Sequence, residues 1–453
     1  MKRLFLCILC TAMLVSGPSY AAQGAARSGA ARHMLTPEFW ISRTAKHDKI
    51  IMDKDEISAF TEEIRRTKET HCVDVLSLPV MLTSEQLTGY IKTFAFPAED
   101  RYIGSRKADA DYYALLDAQH NTAAVRDLNI VRFGVATKET PIRVFPTSDP
   151  SYTEQDDVQF DMNAESIVKV WEPLAILHVS RDGQWLLARS PSVLGWVQVG
   201  DVAIIDRKAL RQYLSRDCVV VTGNRILLAE NHTSLGMGTE LTMGTRLPLA
   251  DSAEGVDGVT TDYSRAVILP GRDKDGNFIE RTARVPLHCD ASGGYLPYTR
   301  ANIIRQAFKM LGERYGWGGF MGNRDCSSFI QDIYLTFGIS LPRNSRSQTK
   351  IPSAHFDTKD MPTDEKELLI LSQPTGTLLQ MPGHIILYLG KVRGKPYVIH
   401  DAYAYGESGL GGKEERLHIN CVAVTDLQIT RKDGTPFLNA IHNINVIKAK
   451  EQN

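Results

Sequence analysis

The chain has 453 residues, and 52 lysines and arginines against 53 aspartates and glutamates leave a formal net charge of −1. Hydrophobic residues make up 43% of the chain and charged residues 23%, a composition that excludes a disordered chain. A near-neutral charge also excludes the broad attraction to phosphates on which nucleic-acid binding depends, so we expect no nucleic-acid partner. The length predicts about two to four domains.

The N-terminus has the pattern of an export signal. Met1-Lys2-Arg3 is followed by an apolar stretch from Leu4 to Val15 and then by small residues up to Ala22. This order of a basic start, a short apolar region and a small-residue site predicts a signal peptide over residues 1–21, although a buried N-terminal helix is the alternative. No later stretch approaches the length of about 20 apolar residues that spans a bilayer. We therefore expect an exported protein, periplasmic or secreted, with no membrane anchor in the mature chain.

Removal of the signal peptide leaves five cysteines, Cys72, Cys218, Cys289, Cys326 and Cys421. Because five is odd, at least one thiol stays unpaired, and an unpaired thiol in an exported protein raises the question of reactivity. The other four allow three pairings. Cys218 with Cys289 is the pairing we favour, because the two bracket one predicted domain, but the sequence leaves the choice open.

Residues 22–125 are predicted to form a small helical module. Asp53 or Asp55 is placed to cap a helix, and Thr83 with Gln86 has the pattern of a capping box before Leu87. Residues 126–206 and 207–291 instead show short alternating runs separated by turn signals such as Asp182-Gly183, Asp257-Gly258 and Asp275-Gly276, which predict β-structure. Helical periodicity returns at residue 298, and strands follow it up to residue 450. The fold class expected is therefore a multi-domain α+β chain.

The segment around Cys326 has the features of a nucleophile at a helix start. Asp325 is a plausible N-cap, and the apolar spacing after Cys326 is helical up to Gly338. In the first turn of a helix, free N–H groups and the helix dipole favour an anion, which predicts a lowered thiol pKa. The alternatives are a buried structural cysteine or one half of a disulfide.

Two histidines near the end of the chain offer a base for such a thiol. His384 begins one alternating run and His400 lies in the next, with a short Gly-containing segment from Lys391 to Lys395 between them. If Gly390 pairs with Pro396, both imidazoles lie on one face within side-chain reach, whereas a slip of one residue separates them. His384 would then be the base and His400 the residue that orients it.

The motifs of this last part resemble the NlpC family of papain-like murein peptidases. They occur in the order Tyr315-Gly316-Trp317-Gly318-Gly319, Asp325-Cys326-Ser327, Leu341-Pro342-Arg343-Asn344-Ser345 with Gln348, and the strand from His384 to Gly390. In the β-region, Gly183-Gln184-Trp185-Leu186 and Gly195-Trp196-Val197 resemble strands of bacterial SH3-like barrels. The layout is similar to that of multi-domain γ-D-glutamyl-L-diamino acid endopeptidases, with a helical module at 22–125, barrels at 126–206 and 207–291, and a papain-like domain at 298–450.

The resemblance implies a site of Cys326, His384 and His400, with no metal and no cofactor. It also implies that Asp325, Ser327, Ser345 and Tyr315 bind the free N-terminal L-Ala-γ-D-Glu of a wall peptide. Packing or capping roles are the alternatives for these four residues, and Arg343 could meet a substrate carboxylate or be structural. Trp185 and Trp196 are expected in the barrel core, although Trp196 and Glu172 are also candidates to line the active site.

The expected function is therefore hydrolysis of the γ-D-glutamyl to diamino-acid bond in peptidoglycan peptides, by a monomeric exported thiol peptidase. The diamino acid, meso-diaminopimelate or lysine, is left open. Two alternatives remain at this point. One is a non-catalytic cell-wall binding protein that uses its barrels, and the other is a thiol amidase or acyltransferase on the same fold.

Overall fold

A computed structural model describes residues 29–155, 157–228, 238–251, 256, 259–408 and 414–449, without the side chains of residues 407, 408 and 414–417. The predicted signal peptide at 1–21 lies outside these residues, as does the predicted turn at Asp257-Gly258. Within the described ranges, no helix has both the length and the apolar character needed to cross a bilayer.

The structure alternates short helices with many strands. The α-helices span Pro37–Ile41, Lys54–Arg66, Ser84–Ile91, Ala110–Gln119, Arg207–Ser215, Arg300–Phe308, Cys326–Leu335, Ser345–Gln348, Thr363–Ser372 and Phe437–Ala440. The strands before residue 300 span Ile50–Met52, Met81–Thr83, Tyr102–Ile103, Arg106–Lys107, Leu128–Ile130, Arg132–Ala136, Thr140–Arg143, Ala164–Val168, Pro173–Val179, Trp185–Arg189, Leu194–Gln198, Val202–Ile204, Cys218–Val221, Arg225–Leu228, Thr239–Thr242, Arg246–Pro248, Ser264–Arg272, Phe278–Pro286, Ala291–Gly293 and Tyr298–Thr299. The later strands span Ala354–Asp357, Leu378–Met381, His384–Val392, Lys395–Ser408, Glu414–Asp426 and Asn443–Val446.

The N-terminal helices begin where the sequence predicts. Asp53 caps Lys54–Arg66 by accepting hydrogen bonds from the backbone of Asp55 and Glu56, and the Thr83–Gln86 capping box begins Ser84–Ile91. Both capping predictions are confirmed. The first helix packs with the core of the C-terminal part, whereas the second packs with the β-rich core. This segment therefore ties later parts of the chain together.

The first β-region is a seven-stranded antiparallel sheet formed within residues 132–204. Leu187 pairs with Trp196, and Trp185 pairs with Gln198 on the neighbouring strand. Both tryptophans are buried and belong to one apolar cluster, so the prediction that they pack in the core is confirmed. Trp196 also stacks against His120, so it has the core role and the alternative that it lines the active site is wrong.

The second β-region, residues 207–291, contains a long hairpin of Ser264–Arg272 with Phe278–Pro286, closed at the predicted Asp275-Gly276 turn. Its assignment as a second SH3-like barrel stays a prediction. The favoured disulfide is wrong, because Cys218 and Cys289 are both free. The strand pairing Val219 with Gly293 separates the two cysteines by about five residues along the sheet, or roughly 16 Å, which exceeds disulfide reach.

The C-terminal part packs two helices on a six-stranded sheet. Thr299 caps Arg300–Phe308 as predicted, and Cys326–Leu335 packs next to it. The apolar face of the second helix, which includes Ile330 and Ile333, shares one core with Ile385 on the neighbouring strand. The helix that begins at Cys326 is therefore fixed against the strand that begins at His384.

The histidine hairpin differs in register from the prediction by one residue at its turn end. Gly390 pairs with Tyr397 rather than with Pro396, because the turn consists of Arg393 and Gly394 alone. A bulge between Tyr388 and Gly390 then absorbs one residue, so that Leu387 pairs with Ile399. A register with Gly390 opposite Pro396 also places Leu387 opposite Ile399. Beyond the bulge the observed and predicted registers therefore agree, and both histidines lie on one face.

A buried ionic network joins the two β-regions to the C-terminal part. Arg324 donates to Asp332 at 2.6 Å and to Glu313 at 2.7 Å, and its side chain is 4% exposed. Asp332 also pairs with Lys169 of the first β-region, and Glu313 pairs with Arg225 of the second. Because breaking one buried pair leaves the other charge unpaired, this network holds both β-regions against the C-terminal part.

Candidate active site

The Cys326 helix starts at a fully formed cap. The Asp325 carboxylate accepts hydrogen bonds from the backbone N–H groups of Ser327 at 3.1 Å and Ser328 at 2.9 Å. The Ser328 hydroxyl in turn accepts from the Asp325 backbone N–H at 2.9 Å. Cys326 is the first helical residue, as the sequence predicts.

Asp325 also forms a buried, two-pronged ion pair with Arg343. The guanidinium meets the two carboxylate oxygens at 2.7 and 3.1 Å, and it donates to the Ser327 hydroxyl at 2.9 Å. Its Nε donates to the hydroxyl of Ser166, a residue of the first β-region, at 2.7 Å. Although burial opposes it, the Arg343 charge keeps the pKa of Asp325 below its usual range. Arg343 therefore has the structural role that was one of its two alternatives.

The Cys326 thiol is free and 7% exposed. Burial raises its pKa to about 12, and the nearby charges of Asp325 and Asp401 add to this rise, whereas a hydrogen bond from the Ile385 backbone opposes it. The prediction of a lowered thiol pKa is wrong, because desolvation and the nearby carboxylates outweigh the helix terminus. The bond from Ile385 places the thiol beside the residue that follows His384.

His384 and His400 are in direct contact. His384 Nε2 lies 2.8 Å from His400 Nδ1, and His400 Nε2 lies 3.0 Å from the hydroxyl of Thr425. Burial lowers the pKa of His384 to about 4, with the charge of Arg431 adding to the shift. Burial, followed by the neighbouring His384, lowers the pKa of His400 well below its usual range. Both rings are therefore neutral at neutral pH.

Neutral rings constrain where the hydrogens lie. If His384 Nδ1 is to accept a proton, its Nε2 must carry the ring hydrogen and donate it to His400 Nδ1. His400 then carries its own hydrogen on Nε2 and donates it to Thr425. Sequence reasoning missed Thr425, because it reaches His400 from a strand 25 residues further along the chain.

Two further residues predicted for the site are Tyr315 and Ser345. Tyr315 is buried, with its ring 5.9 Å from that of Tyr403, and burial followed by the Cys326 charge raises its pKa. Ser345 is the half-buried first residue of Ser345–Gln348, whose cap is Asn344. Asp325 and Tyr315 thus lie close enough to interact electrostatically with Cys326. The Ser327 hydroxyl contacts Asp325 and Arg343, and Ser345 lies two residues after Arg343.

The first β-region contributes Glu165 and Phe160 to the site, and sequence reasoning missed both. Glu165 is half-buried, and burial raises its pKa, with Arg343 opposing and Asp325 adding to the rise. Phe160 packs against Trp317 and Tyr403 at ring distances of 5.5 and 4.7 Å. No local motif indicates either role, because both depend on how the β-region packs.

Glu172, the other β-region residue considered from the sequence, lines a cavity of about 340 Å³. The same cavity is lined by Ser328 and Asp332 of the Cys326 helix and by Arg343. Glu172 accepts a hydrogen bond from the Lys169 backbone at 3.0 Å, and its role in lining the active site stays a prediction.

A cleft of about 610 Å³ opens beside His384. Its walls include aromatic rings and a short charged turn: Phe160, Tyr315, Trp317, Tyr403, Phe437, Arg431, Lys432 and Asp433. In the part of the chain that the structure describes, no group of three or more His, Cys, Asp or Glu side chains is placed to hold a metal ion.

Comparison with known proteins matches two segments. Residues 312–413 match the NlpC/P60 family, and residues 148–198 match the SH3 domain of SH3b1 type. The solved structure of an NlpC/P60 endopeptidase from Photobacterium damselae subsp. piscicida superposes with a TM-score of 0.73 over 90% of this chain and 97% of that chain. At 18% identity, this likeness is one of fold.

Two curated relatives match in sequence. Dipeptidyl-peptidase 6 of Lysinibacillus sphaericus is 29% identical over 116 residues, 25% of this chain and 34% of the relative. Gamma-D-glutamyl-L-lysine dipeptidyl-peptidase of Bacillus cereus is 26% identical over 179 residues, 38% of this chain and 47% of the relative. The matched regions span less than half the length of these relatives. Site and matches together show that the chain carries the NlpC/P60 domain of a cysteine peptidase, joined to an SH3b domain.

Proposed function

We propose that this protein is an exported cysteine endopeptidase that hydrolyses the γ-D-glutamyl to diamino-acid bond of peptidoglycan peptides with a free N-terminal L-Ala. The observation that carries the proposal is the 2.8 Å contact between His384 and His400 on the sheet against which the Cys326 helix packs. The name of the Bacillus cereus relative supports the choice of bond. Export rests on the sequence of residues 1–21.

In the proposed reaction, Cys326 is the nucleophile. Its Sγ attacks the γ-carbonyl carbon while the thiol proton passes to His384 Nδ1, and His400 holds the ring in position. Backbone N–H groups at the start of the Cys326 helix stabilise the oxyanion. Collapse breaks the C–N bond, and His384 returns the proton to the leaving amine. A water molecule, deprotonated by His384, then hydrolyses the thioester and releases L-Ala-γ-D-Glu.

The N-terminal ammonium group of the substrate requires a negatively charged partner in the protein. Asp325, Ser327, Ser345 and Tyr315 are the proposed binding residues, but Arg343 already balances the charge of Asp325. A buried ammonium next to a neutral pair is costly unless another carboxylate compensates it. We therefore add Glu165, which approaches the Asp325–Arg343 pair from the SH3b domain, as the source of that charge.

The bond cleaved can be identified by mass spectrometry of a digest of L-Ala-γ-D-Glu-diaminopimelate-D-Ala. We expect L-Ala-γ-D-Glu and diaminopimelate-D-Ala from the wild type and from Cys289→Ala, which changes a cysteine outside the site. Cys326→Ala should release neither product. Three other outcomes would contradict the proposal. A sugar chain freed from a muropeptide would favour the amidase, and a new amide bond would favour the acyltransferase. Wall binding without cleavage at any pH would favour the binding protein.

Acetylation of the N-terminal Ala tests the amine pocket. It should lower kcat/KM by about 100-fold, because it removes the ammonium and leaves the Glu165 carboxylate without the partner proposed for it. Glu165→Gln should raise KM for the free peptide about tenfold and should change turnover of the acetylated peptide little. Exposed Glu154 provides the matched control as Glu154→Gln. Equal turnover of free and acetylated peptides would remove the roles given to Asp325, Ser327 and Glu165.

The raised pKa of Cys326 and the lowered pKa of His384 predict a neutral thiol and a neutral imidazole in the free enzyme. Below its pKa, the thiolate fraction rises about tenfold per pH unit, and so should the alkylation rate of Cys326 by iodoacetamide between about pH 6 and about pH 9. Subtracting the rate for Cys326→Ala isolates this residue from other thiols. A rate that is constant over this range would instead show a preformed thiolate–imidazolium pair.

A further inference from the structure

The cleft beside His384 is the place where the leaving group must lie. In the proposed reaction, His384 gives its proton to the amine of the diamino acid, so this amine must be within hydrogen-bond reach of the ring. The remainder of the diamino acid then extends into the space that His384 lines. The charges of that space decide which diamino acid fits.

The charged residues of this cleft come from one turn, Arg431-Lys432-Asp433-Gly434. Its backbone closes through hydrogen bonds from Arg431 to Thr435 at 2.8 Å and from Gly434 back to Arg431 at 3.0 Å. Gly406 on the adjacent strand donates to Thr430 at 2.8 Å, and any side chain at Gly406 would collide with the Arg431 carbonyl. The turn is therefore fixed closely against the sheet that carries the histidines.

The guanidinium of Arg431 is held next to the base. Its Nη1 donates to the carbonyl of Pro382 at 2.9 Å, two residues before His384, and its charge contributes to the lowered pKa of His384. This bond uses one of five N–H groups, which leaves donors for a planar carboxylate. Within the residues whose side chains the structure describes, no carboxylate forms an ion pair with Arg431 or with exposed Lys432.

Asp433 offsets only part of these charges. Its carboxylate is exposed and accepts a hydrogen bond from the Thr435 backbone at 3.0 Å, so it is partly engaged in its own turn. The cleft wall thus presents two cations and one acid. Such a wall attracts a side chain that ends in a carboxylate, and it repels one that ends only in an ammonium group.

Building on the proposed function, we propose that Arg431 binds the distal carboxylate of meso-diaminopimelate, so that this enzyme selects diaminopimelate-containing peptides over lysine-containing ones. Diaminopimelate and lysine carry an amine at the end of side chains of similar length, but only diaminopimelate adds a carboxylate beside it. Asp433 is placed to meet the distal ammonium, which both share. Arg431, assisted by Lys432, therefore distinguishes diaminopimelate from lysine.

Three tetrapeptides L-Ala-γ-D-Glu-X-D-Ala isolate this charge, where X is meso-diaminopimelate, its distal carboxamide or L-lysine. The α-carboxylate of X is amide-bonded in all three, so only the distal group differs. We expect kcat/KM for the first to exceed that for the other two about tenfold or more, the size of one charge-assisted pair. Arg431→Gln should bring the ratios close to one, and Arg431→Lys should retain part of the preference.

The measured quantity is the ratio of kcat/KM between two peptides. Removal of Arg431 also changes the surroundings of His384, but that effect is common to all three peptides and cancels in the ratio. Arg393→Gln is the matched control, since Arg393 is exposed at the far end of the His384 strand, roughly 30 Å away. Equal rates for the three peptides in the wild type, or unchanged ratios in Arg431→Gln, would overturn the inference.

Binding to the inactive Cys326→Ala protein separates this inference from the proposed function. Calorimetric titration should show the same order of affinities for the three peptides, and the order should disappear in Cys326→Ala/Arg431→Gln. If no peptide is cleaved by the wild type, the proposed function is wrong, and the affinity ratio still decides on Arg431. If the affinities are equal, the role of Arg431 is wrong even when cleavage occurs.

Discussion

The buried ion pair between Asp325 and Arg343 is the interaction on which the rest of the site depends. Through Asp325 it caps the helix that begins at Cys326, and through the bond of Arg343 to Ser166 it attaches that helix start to the SH3b domain. Removal of either partner would leave a buried charge unpaired, at a cost of about 3–5 kcal/mol. The geometry around the proposed nucleophile therefore depends on the placement of the SH3b domain. That domain forms a wall of the candidate active site as well as a neighbouring domain.

The same burial sets the resting state of the chemistry. Desolvation keeps the Cys326 thiol and the two imidazoles neutral, so the proposed reaction has to include proton transfer from the thiol to His384. A substrate ammonium near Asp325 would offset the carboxylate charge that disfavours the thiolate, because an opposite charge nearby favours the ionised form. Binding of the correct end of a wall peptide would then also help to activate the nucleophile, which links specificity to turnover.

Local patterns predicted the parts of the site that lie close together in sequence. The Asp325 cap and the position of Cys326 follow from a few neighbouring residues, and the two histidines follow from strand alternation, even though a bulge near Leu389 shifts the turn end of the register. The direction in which the thiol pKa shifts could not be predicted in this way, because it depends on how deeply the folded chain buries the thiol. Glu165 and Thr425 were missed for a related reason: each reaches the site from a distant segment, and neither belongs to a local motif.

A covalent intermediate on Cys326 is the most direct consequence of the proposed reaction. A reaction with L-Ala-γ-D-Glu-diaminopimelate-D-Ala can be quenched in acid within milliseconds and analysed by intact-protein and peptide mass spectrometry. We predict an L-Ala-γ-D-glutamyl thioester on the peptide that contains Cys326, formed before free L-Ala-γ-D-Glu accumulates. Turnover without any adduct, or an adduct on another residue or of another composition, would contradict the account.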